Sequence, residues 1–360
     1  MRIRKISFYR AVSPLSRPIA DSTHQIPEIA FLVTRIQLEN DTIGESYMLA
    51  YHYSPHAILG ALRDVAELAI GWDATKTTEF ILHHERQSEY FGGPGINRWA
   101  SGAINIAMWD AWARSLGKPV WGMFNTHRDR IPLYGSGGWL SYSSEELIEE
   151  VTEYEKRGFH AVKIKVGSSS IERDIERLNL VREAVGTQVD IMMDANQGMT
   201  VKSASQLAAA VGPLRITWFE EPLPNTDFGG YQQLGLTTGI SLAMGEREFN
   251  TVALRELITR NAIDLWQPDI LRMGSVEAWR DSADLAQANN IPVLPHYYKE
   301  YDVPLLMTIP NGRGAESFDW VDGLIDNPIE IRDGFAYPHQ GPGWGFRFKE
   351  EHLTEVFHLG

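Results

Sequence analysis

The chain has 360 residues, long for one ordinary domain, and its hydrophobic content of 43% is that of a globular protein with a large core. Its 33 lysines and arginines against 47 acidic residues give a formal net charge of −14 without any basic run, which argues against a nucleic acid partner. The absence of cysteine excludes disulfides, iron–sulfur clusters, thiolate zinc sites and cysteine nucleophiles. The N-terminus lacks the apolar core of a signal peptide, and no run approaches the ~18 apolar residues of a membrane span, so we expect a cytoplasmic protein without a membrane partner.

Residues 1–125 predict an α+β module that begins with strands. Two strands are indicated, Ile3–Tyr9 and Ala30–Leu38, with a proline-bearing loop over Ala11–Ile29 between them. Three helices then follow, over residues 56–70, 76–91 and 96–116. Because long loops in compact domains often cover binding sites, we expect residues 13–28 to form a lid.

From Ile131 to Asp319, short β-branched runs alternate with helical stretches. The eight predicted strands are Leu133–Gly135, Ala161–Val166, Asp190–Asn196, Ile216–Pro222, Ser241–Glu246, Ile263–Asp269, Pro292–His296 and Gly314–Phe318. The predicted helices between them are Ser144–Arg157, Ile171–Val185, Ser203–Val211, Thr251–Arg260 and Ser275–Ala288. This alternation indicates parallel βαβ units, and eight such units close most naturally into a (β/α)₈ barrel of the TIM type. We therefore predict a module over residues 1–125, a barrel over 126–325, and a C-terminal segment over 326–360 that packs back on the first module.

Charged and polar side chains stand at the C-terminal ends of the candidate strands. In chain order they are Lys163 and Lys165, Asp194 and Asn196, Glu220 or Glu221, Glu246, Asp269, His296 and Glu316. Counted from Lys165 with one residue per strand, they lie 29, 26, 26, 23, 27 and 20 residues apart, about one βα unit each. They are therefore expected to meet at one mouth of the barrel, the face that carries the chemistry of such enzymes.

The two lysines of the segment AVKIKV lie two positions apart, so their side chains point to one side of the strand. A half-exposed strand gives the same pattern, but in a barrel the apolar set faces the outer helices and Lys163 and Lys165 face inward. Two ammonium groups about 7 Å apart and near a metal lower each other's pKa. One of them is then suited to act as a general base near neutral pH.

Three acids, Asp194, Glu220 and Glu246, end neighbouring predicted strands. Any one of them alone would cap the following helix, but three carboxylates at one mouth repel one another unless a cation neutralises them. A hard divalent cation with oxygen ligands fits, Mg²⁺ first and Mn²⁺ second. Strand alternation puts Glu221 on the opposite side of the strand, so Glu220 is the predicted ligand.

Asp269 and His296 end the next two predicted strands. A carboxylate on the adjacent strand fixes the tautomer of a histidine and raises its pKa, which makes His296 a second base or an acid. Glu316 on the last strand is placed to reach a substrate oxygen, as a hydrogen-bond donor if it is protonated.

The segments KIK, DAN, WFEEP, GE, QPD, PH and AE, in this order and spacing, resemble the enolase superfamily and, within it, the mandelate racemase subgroup. The resemblance covers essentially the whole chain, because the N-terminal module resembles the capping domain of the family and GPGWGF resembles its glycine-rich ending. It implies a barrel with a capping domain that the C-terminal tail completes. It also implies that Mg²⁺ is bound by Asp194, Glu220 and Glu246.

The resemblance assigns further roles at the barrel mouth. It makes Lys165 the base on one face of the substrate, with Lys163 beside it, and His296 with Asp269 the acid or base on the other face. It makes Glu316 the hydrogen-bond partner of the substrate carboxylate. The muconate-cycloisomerase branch resembles the chain in fold but has a lysine in place of His296, so the mandelate racemase subgroup is favoured.

The expected reaction is removal of the proton α to a carboxylate, with the enediolate stabilised by Mg²⁺ and by Lys163 and Glu316. If His296 then expels a β-hydroxyl, an acid sugar (aldonate or aldarate) is dehydrated to a 2-keto-3-deoxy acid. If it returns a proton to the same carbon, a 2-hydroxy acid is racemised or epimerised. A non-catalytic binding protein on the same fold is a remote alternative.

We expect dehydration, because the lid loop is largely polar and a mandelate-like ring requires an apolar lid. The predicted substrate-binding residues are Asn196, Arg17 and His24, with the Arg17 guanidinium suited to hydroxyls or a distal carboxylate. An apolar substrate retains some support because Trp139, Tyr53 and Tyr90 are candidate pocket aromatics. The expected partner is a small carboxylate, and the chain is expected to form a homo-oligomer.

Overall fold

The computed structural model describes residues 1–50 and 55–360 as an α+β capping module followed by a barrel. The elements of the module are β1 Ile3–Ser13, β2 Ile19–Ala20, β3 Gln25–Ile26, β4 Ile29–Leu38, β5 Ile43–Leu49, α1 Pro55–Ala69, α2 Thr77–Ser88 and α3 Ile96–Ser115. The long strands β1, β4 and β5 pair antiparallel in the order β1–β4–β5. Sequence reasoning missed β5, whose Gly44 lies where a Cβ atom would meet the backbone of α3 at Ala107.

The predicted loop Ala11–Ile29 is partly regular. Strand β1 continues to Ser13, and β2 pairs with β3 in a two-stranded hairpin, here called the lid hairpin (residues 19–26). Its turn is held by Asp21, whose Oδ1 accepts hydrogen bonds from the backbone N–H groups of Thr23 and His24, both at 2.7 Å. Such side-chain bonds to the local backbone produce a turn without hydrophobic alternation, which is why periodicity does not reveal it.

The barrel is a ring of parallel strands around a packed interior. Within the described chain its strands are β6 Ile131–Gly137, β7 Ala161–Lys165, β8 Asp190–Asp194, β9 Ile216–Glu220, β10 Ser241–Met244, β11 Leu265–Trp266 and β12 Ala315–Ser317. They neighbour one another in chain order from β6 to β11, and β12 pairs with β6. Between β11 and β12 the ring is completed by Val293, which bridges Trp266 on one side and Gly312 on the other.

The predicted strand Pro292–His296 is thus reduced to a single bridging residue. The physical reason is that Pro292 and Pro295 lack the N–H groups that a longer ladder needs. This position nevertheless acts as one of eight strand positions around the ring, as the sequence pattern predicts.

Helices occupy the connections between the barrel strands. They are α4 Ser144–Lys156, α5 Ile171–Val185, α6 Val201–Ala210, α7 Phe228–Thr237, α8 Val252–Arg260, α9 Ile270–Met273, α10 Val276–Ala288 and α11 Lys299–Leu306. Helix α4 begins with a capping box in which Ser143 and Glu146 bond each other's backbone. The sequence pattern missed α7, which has three glycines, and α11, which contains Pro304, because both residue types disfavour helix.

The C-terminal tail returns to the N-terminal module. Its strands are β13 Glu330–Arg332, β14 Phe335–Tyr337 and β15 Thr354–Leu359. The first two form a hairpin beside β6, and β15 pairs antiparallel with β1 to give a sheet in the order β15–β1–β4–β5. The predicted fold class, a barrel with an N-terminal capping domain completed by the tail, is confirmed. The boundaries at residues 125 and 325 stay predictions.

One hydrophobic cluster runs continuously from Ile3 in the capping sheet through the barrel walls to Phe348 in the tail. A smaller cluster fills the barrel interior and consists of Tyr134, Met192, Trp218, Ala243 and Leu294. This inner cluster closes the barrel from within, so that the strand ends above it form the floor of a cavity. Within the described residues, no helix is long and apolar enough to cross a membrane.

Candidate active site

A cavity of about 280 Å³ lies at the C-terminal mouth of the barrel, beneath the lid hairpin. The barrel contributes charged side chains to it, namely Lys163, Lys165, Glu246, Arg247, Asp269, Arg272, His296 and Glu316. The capping module contributes Asp21, His24, Ile26, Leu49 and Trp99. We call this space the catalytic cavity, because it brings together charged groups from five positions of the ring.

Three buried carboxylates meet at the floor of the catalytic cavity. Asp194, Glu220 and Glu246 each offer an oxygen, and these oxygens all lie within 4.8 Å of one another. Glu220 Oε2 also accepts hydrogen bonds from Gln267 Nε2 at 2.6 Å and from Trp218 Nε1 at 3.2 Å. The structure therefore places Glu220 in the cluster, on the side that strand alternation predicts.

The neighbouring Glu221 points the other way and has its own partners. Its Oε2 accepts a hydrogen bond from Arg247 Nε at 2.8 Å, and its Oε1 accepts one from Gln197 Nε2 at 2.8 Å. Glu221 is thereby separated from the three-carboxylate cluster.

The cluster has the chemistry of a site for a hard divalent cation. Burial, reinforced by the charge of Asp194 and opposed by that of Lys163, raises the pKa of Glu220 to about 7. A raised pKa is the direction expected for a carboxyl group that is buried beside other carboxylates. An all-oxygen ligand set of this kind fits Mg²⁺.

Both lysines of β7 face into the barrel and pair with these carboxylates. Lys163 Nζ lies 2.6 Å from Glu220 and 2.7 Å from Glu316, and Lys165 Nζ lies 2.5 Å from Asp194. The lowering of the lysine pKa that we predict beside a bound metal stays a prediction. Burial and the charge of Lys163 oppose ionisation of Lys165, but the adjacent Asp194 carboxylate outweighs them and raises its pKa.

Across the cavity, His296 and Asp269 form a hydrogen-bonded pair. His296 Nδ1 lies 2.8 Å from Asp269 Oδ2, and His296 Nε2 lies 3.5 Å from Glu246. Asp269 is held by the backbone N–H of Arg272, which donates to Oδ1 at 3.0 Å. Burial opposes the charged imidazolium, but Glu246 and Asp269 outweigh it and raise the pKa of His296, in the predicted direction.

Glu316 lies beside Lys163 and is fixed by the backbone. Its Oε2 accepts a hydrogen bond from Tyr297 N at 2.9 Å. Burial alone raises the pKa of Glu316, but the charges of Lys163 and His296 lower it overall. The surrounding cations therefore favour the ionised carboxylate of Glu316, which accepts hydrogen bonds.

The predicted substrate-binding residues divide into two groups. Asn196 and His24 line the catalytic cavity. Asn196 is only 5% exposed, and its Oδ1 has no hydrogen-bond partner among the residues that the structure describes. Arg17 instead pairs with Glu146 and lies 4.7 Å from the Tyr142 ring centroid, outside the described lining of the cavity. Arg17 thus packs against Glu146 of α4 and is not among the residues that line the catalytic cavity.

Of the three aromatic residues predicted as candidates for the pocket, the structure places one in the cavity. Trp139 lines the cavity, and its ring centroid lies 5.3 Å from Lys165 Nζ. Tyr90 is 84% exposed, and Tyr53 lies outside the described residues. Trp320, stacked on Phe318 with ring centroids 4.4 Å apart, completes a more aromatic wall than the sequence predicts.

Several site residues escaped sequence reasoning. Gln267 and Asp269 are two positions apart in the segment QPD, so alternation alone was a signal that Gln267 also faces the site. Arg247 directly follows Glu246 and pairs with it at 3.4 Å. Trp99, by contrast, comes from a capping-module helix, and only the tertiary structure brings it to the barrel mouth.

Comparison with known proteins gives matches along nearly the whole chain. A family model described as "Enolase C-terminal domain-like" matches residues 146–352, and one for the "Mandelate racemase / muconate lactonizing enzyme, N-terminal domain" matches residues 5–124. An L-talarate/galactarate dehydratase of Salmonella typhimurium is 27% identical over 97% of this chain and 90% of its own length. A 3,6-anhydro-alpha-L-galactonate cycloisomerase of Streptomyces coelicolor is 26% identical over 95% and 96%. The crystal structure of L-talarate dehydratase from Polaromonas sp. JS666, complexed with Mg and L-glucarate, superposes with a TM-score of 0.91 at 27% identity and covers 100% of this chain and 99% of that one.

Proposed function

This chain belongs to the mandelate racemase subgroup of the enolase superfamily, and we propose that it is a Mg²⁺-dependent dehydratase of acid sugars. The reaction converts an aldonate or aldarate to a 2-keto-3-deoxy acid. Relatives named as dehydratases of talarate, galactarate and arabinonate support the substrate class. A solved relative that holds both Mg and L-glucarate supports the cofactor.

One observation carries the proposal: a lysine and a histidine–aspartate pair face each other across three clustered carboxylates. Lys165 ends β7, whereas Asp269 follows β11 on the opposite side of the ring. Asp194, Glu220 and Glu246 lie between them along the strand order. A substrate carboxylate held at the cluster therefore has one proton-transfer group on each face of its α-carbon.

Each residue of the site has a role that follows from its position. Bound Mg²⁺ supplies positive charge that stabilises the negative charge developing on a substrate carboxylate. Lys163, which lies between Glu220 and Glu316, donates a hydrogen bond to that carboxylate. Lys165 Nζ takes the α-proton, and His296 Nε2 gives a proton to the departing β-hydroxyl.

Asp269 and Asn196 act on the same step from their fixed positions. Asp269 holds His296 at Nδ1 and so directs Nε2 to the reacting carbon. Asn196 presents its Oδ1, which has no partner in the described part of the chain, to the cavity as an acceptor for a substrate hydroxyl. Water is excluded by the lid hairpin and by the aromatic wall, which strengthens these polar contacts.

Incubation with a panel of aldonates and aldarates in the presence of Mg²⁺ tests the proposal. We expect a 2-keto-3-deoxy acid from at least one member. In deuterated water, exchange of the α-proton is expected to require Lys165 for one configuration at C2 and His296 for the other. Lys165→Met is therefore expected to stop exchange for one C2 epimer, and His296→Asn for the other. Loss of optical rotation without a keto acid identifies a racemase instead, and exchange that survives unchanged in both variants shows that the assigned bases are wrong.

A further inference from the structure

The lid hairpin is fastened directly above the strand that carries Lys165. Its Ala20 carbonyl accepts a hydrogen bond from Leu140 N at 2.8 Å, in the loop that follows β6. Its Ser22 hydroxyl donates to the Ala195 carbonyl, in the loop that follows β8. Because β7 lies between β6 and β8 in the sheet, the hairpin spans the end of β7 and covers Lys165.

This hairpin carries a histidine–aspartate pair of its own. Asp21 and His24 both line the catalytic cavity, and His24 Nδ1 lies 3.3 Å from the Asp21 carboxylate. Nδ1 also lies 2.7 Å from the Thr23 hydroxyl, so both contacts of Nδ1 orient the ring, and Nε2 is the nitrogen on the side of the ring away from Asp21.

Asp21 is a buried carboxylate in the cavity that also contains Lys165. Its side chain is 8% exposed. Burial opposes ionisation of Asp21, but the hydrogen bond to His24 and the charge of Lys165 outweigh it and lower the pKa. The catalytic cavity therefore contains two histidine–carboxylate pairs, His24–Asp21 on the Lys165 side and His296–Asp269 on the other.

We propose that His24, held by Asp21, is a second general acid, which expels a β-hydroxyl that departs on the Lys165 face. This inference rests on the proposed dehydratase function and extends it. Lys165 Nζ takes the proton from C2, and the C–H electron pair passes into the enediolate. As the C3–O bond breaks, the electron pair of the enediolate forms the C2–C3 double bond. The C3–O bonding pair leaves with the hydroxyl, which takes a proton from His24 Nε2 to depart as water. The enol then takes up a proton at C3 to give the 2-keto acid, and solvent restores the proton of His24.

Two acids on opposite faces lead to a stereochemical prediction. If C4 lies in the plane of the enediolate, the hydrogen and the hydroxyl on C3 stand on opposite faces, and epimerisation at C3 exchanges them. One C3 epimer then directs its hydroxyl to His24 and the other directs it to His296. An enzyme with both acids dehydrates both epimers at the same C2 configuration.

The alternative is that the Asp21–His24 contact has only a structural role, because Asp21 also shapes the hairpin turn. In that case, its loss loosens the hairpin and weakens substrate binding for every epimer. Loss of an acid, in contrast, affects one epimer and leaves α-proton removal intact. Ser22→Ala is the matched control, since it removes an anchor of the hairpin and keeps both histidine pairs.

The test compares two C3-epimeric pairs of aldonates, gluconate with allonate and mannonate with altronate, and the corresponding aldarates. For the pair that the wild type converts, His24→Gln is expected to lower kcat for one epimer by about 100-fold or more and to leave the other within about threefold. In deuterated water, the affected epimer still exchanges its α-proton. Asp21→Asn is expected to show the same selectivity in weaker form, and Ser22→Ala to change both epimers equally.

Two results overturn the inference and leave the dehydratase function in place. One is a wild type that dehydrates a single C3 epimer at each C2 configuration. The other is a His24→Gln variant that loses α-proton exchange and dehydration in parallel for both epimers. If the wild type exchanges α-protons but forms no keto acid from any substrate, the dehydratase function itself is refuted. The role of His24 as the acid of that step is then refuted as well.

Discussion

At the residue scale, the catalytic cavity is built on a balance between buried carboxylates and buried cations. Lys163 and Lys165 pair with Glu220 and Asp194, and Arg247 pairs with both Glu221 and Glu246. Breaking a buried ion pair leaves an uncompensated charge, so each of these contacts constrains its neighbours. The cluster is therefore stable as a unit and sensitive to the removal of a single charge.

Glu220→Gln is expected to lower activity by about 100-fold or more while the protein remains folded. Glutamine keeps the volume and removes one of three repelling charges, and Lys163 retains its second partner Glu316. Calorimetric titration with Mg²⁺ measures the loss of metal binding, and thermal unfolding shows whether the protein remains folded. Glu256→Gln, in an exposed pair with Arg260 on α8, is the control and is expected to change neither metal binding nor the melting temperature. Full activity of Glu220→Gln refutes the assigned metal site.

At the element scale, the capping helix α3 positions a catalytic turn of the barrel. Gly102 of α3 packs against α9, and a Cβ atom there would lie 2.8 Å from the Leu271 carbonyl and 3.2 Å from Gly274 Cα. Asp269 is the N-cap of α9 and holds His296. A shift of α9 therefore moves the histidine–aspartate pair, so that the contact between the two modules is part of the active site.

Gly102→Ala is expected to lower the free energy of unfolding by about 1–3 kcal/mol and to reduce kcat, because the added methyl group displaces α9. Gly60→Ala is the control on the neighbouring helix α1, where a Cβ atom has nothing within 4 Å. It is expected to raise the free energy of unfolding by about 0.5–1 kcal/mol, since alanine restricts the unfolded chain. Denaturant titrations measure both values, and equal effects of the two substitutions contradict the packing argument.

Helix α4 is joined to the end of β6 by a carboxyl group with an altered pKa. Glu150 accepts a hydrogen bond from Gly138 N at 2.6 Å, and burial raises its pKa from an ordinary 4.5 to about 7. Because the folded state holds this proton more tightly than the unfolded state, the group contributes stability at low pH. That contribution is lost as the pH rises from about 4.5 to 7.

Glu150→Gln is expected to remove this pH dependence, since glutamine keeps the acceptor and cannot ionise. Relative to the variant, the wild type loses on the order of 2 kcal/mol between pH 5 and pH 8. Urea unfolding at both pH values measures the difference, and Glu149→Gln, an exposed neighbour on the same helix, serves as the control. Parallel stability curves for the wild type and Glu150→Gln contradict the assignment.

At the scale of the whole molecule, the capping sheet, barrel and tail share one hydrophobic cluster. The tail strand β15 completes the capping sheet beside β1, so the two ends of the chain are held in one sheet. Because they share this core, we expect the capping sheet, the barrel and the tail to unfold together. The predicted homo-oligomer stays a prediction.

Chelation of metal is expected to abolish activity without unfolding the protein, because the lysine pairs already neutralise part of the carboxylate charge. Added Mg²⁺ is expected to restore activity and to raise the melting temperature of a single transition in a saturable way. Differential scanning calorimetry across a Mg²⁺ titration measures this. Two separate transitions contradict the shared core, and activity after complete chelation contradicts the metal site.

The sequence by itself determined the barrel, the family and the residues at the strand ends. Each of these depends on local order: a strand has a period of two, so inward-facing residues such as Lys163 and Lys165 can be read directly. The same period separates Glu220 from Glu221. Regular spacing of one βα unit then brings successive strand ends to one mouth.

Only the tertiary structure decided which capping-module residues reach that mouth. Arg17 and His24 lie seven positions apart in one predicted loop, yet His24 lines the cavity and Arg17 pairs with Glu146. The hairpin that carries His24 is held by side-chain bonds of Asp21 and by contacts with distant barrel loops, which leave no periodic signal. The direction of the Lys165 pKa was decided in the same way, because it depends on a carboxylate 29 residues away in sequence and 2.5 Å away in space.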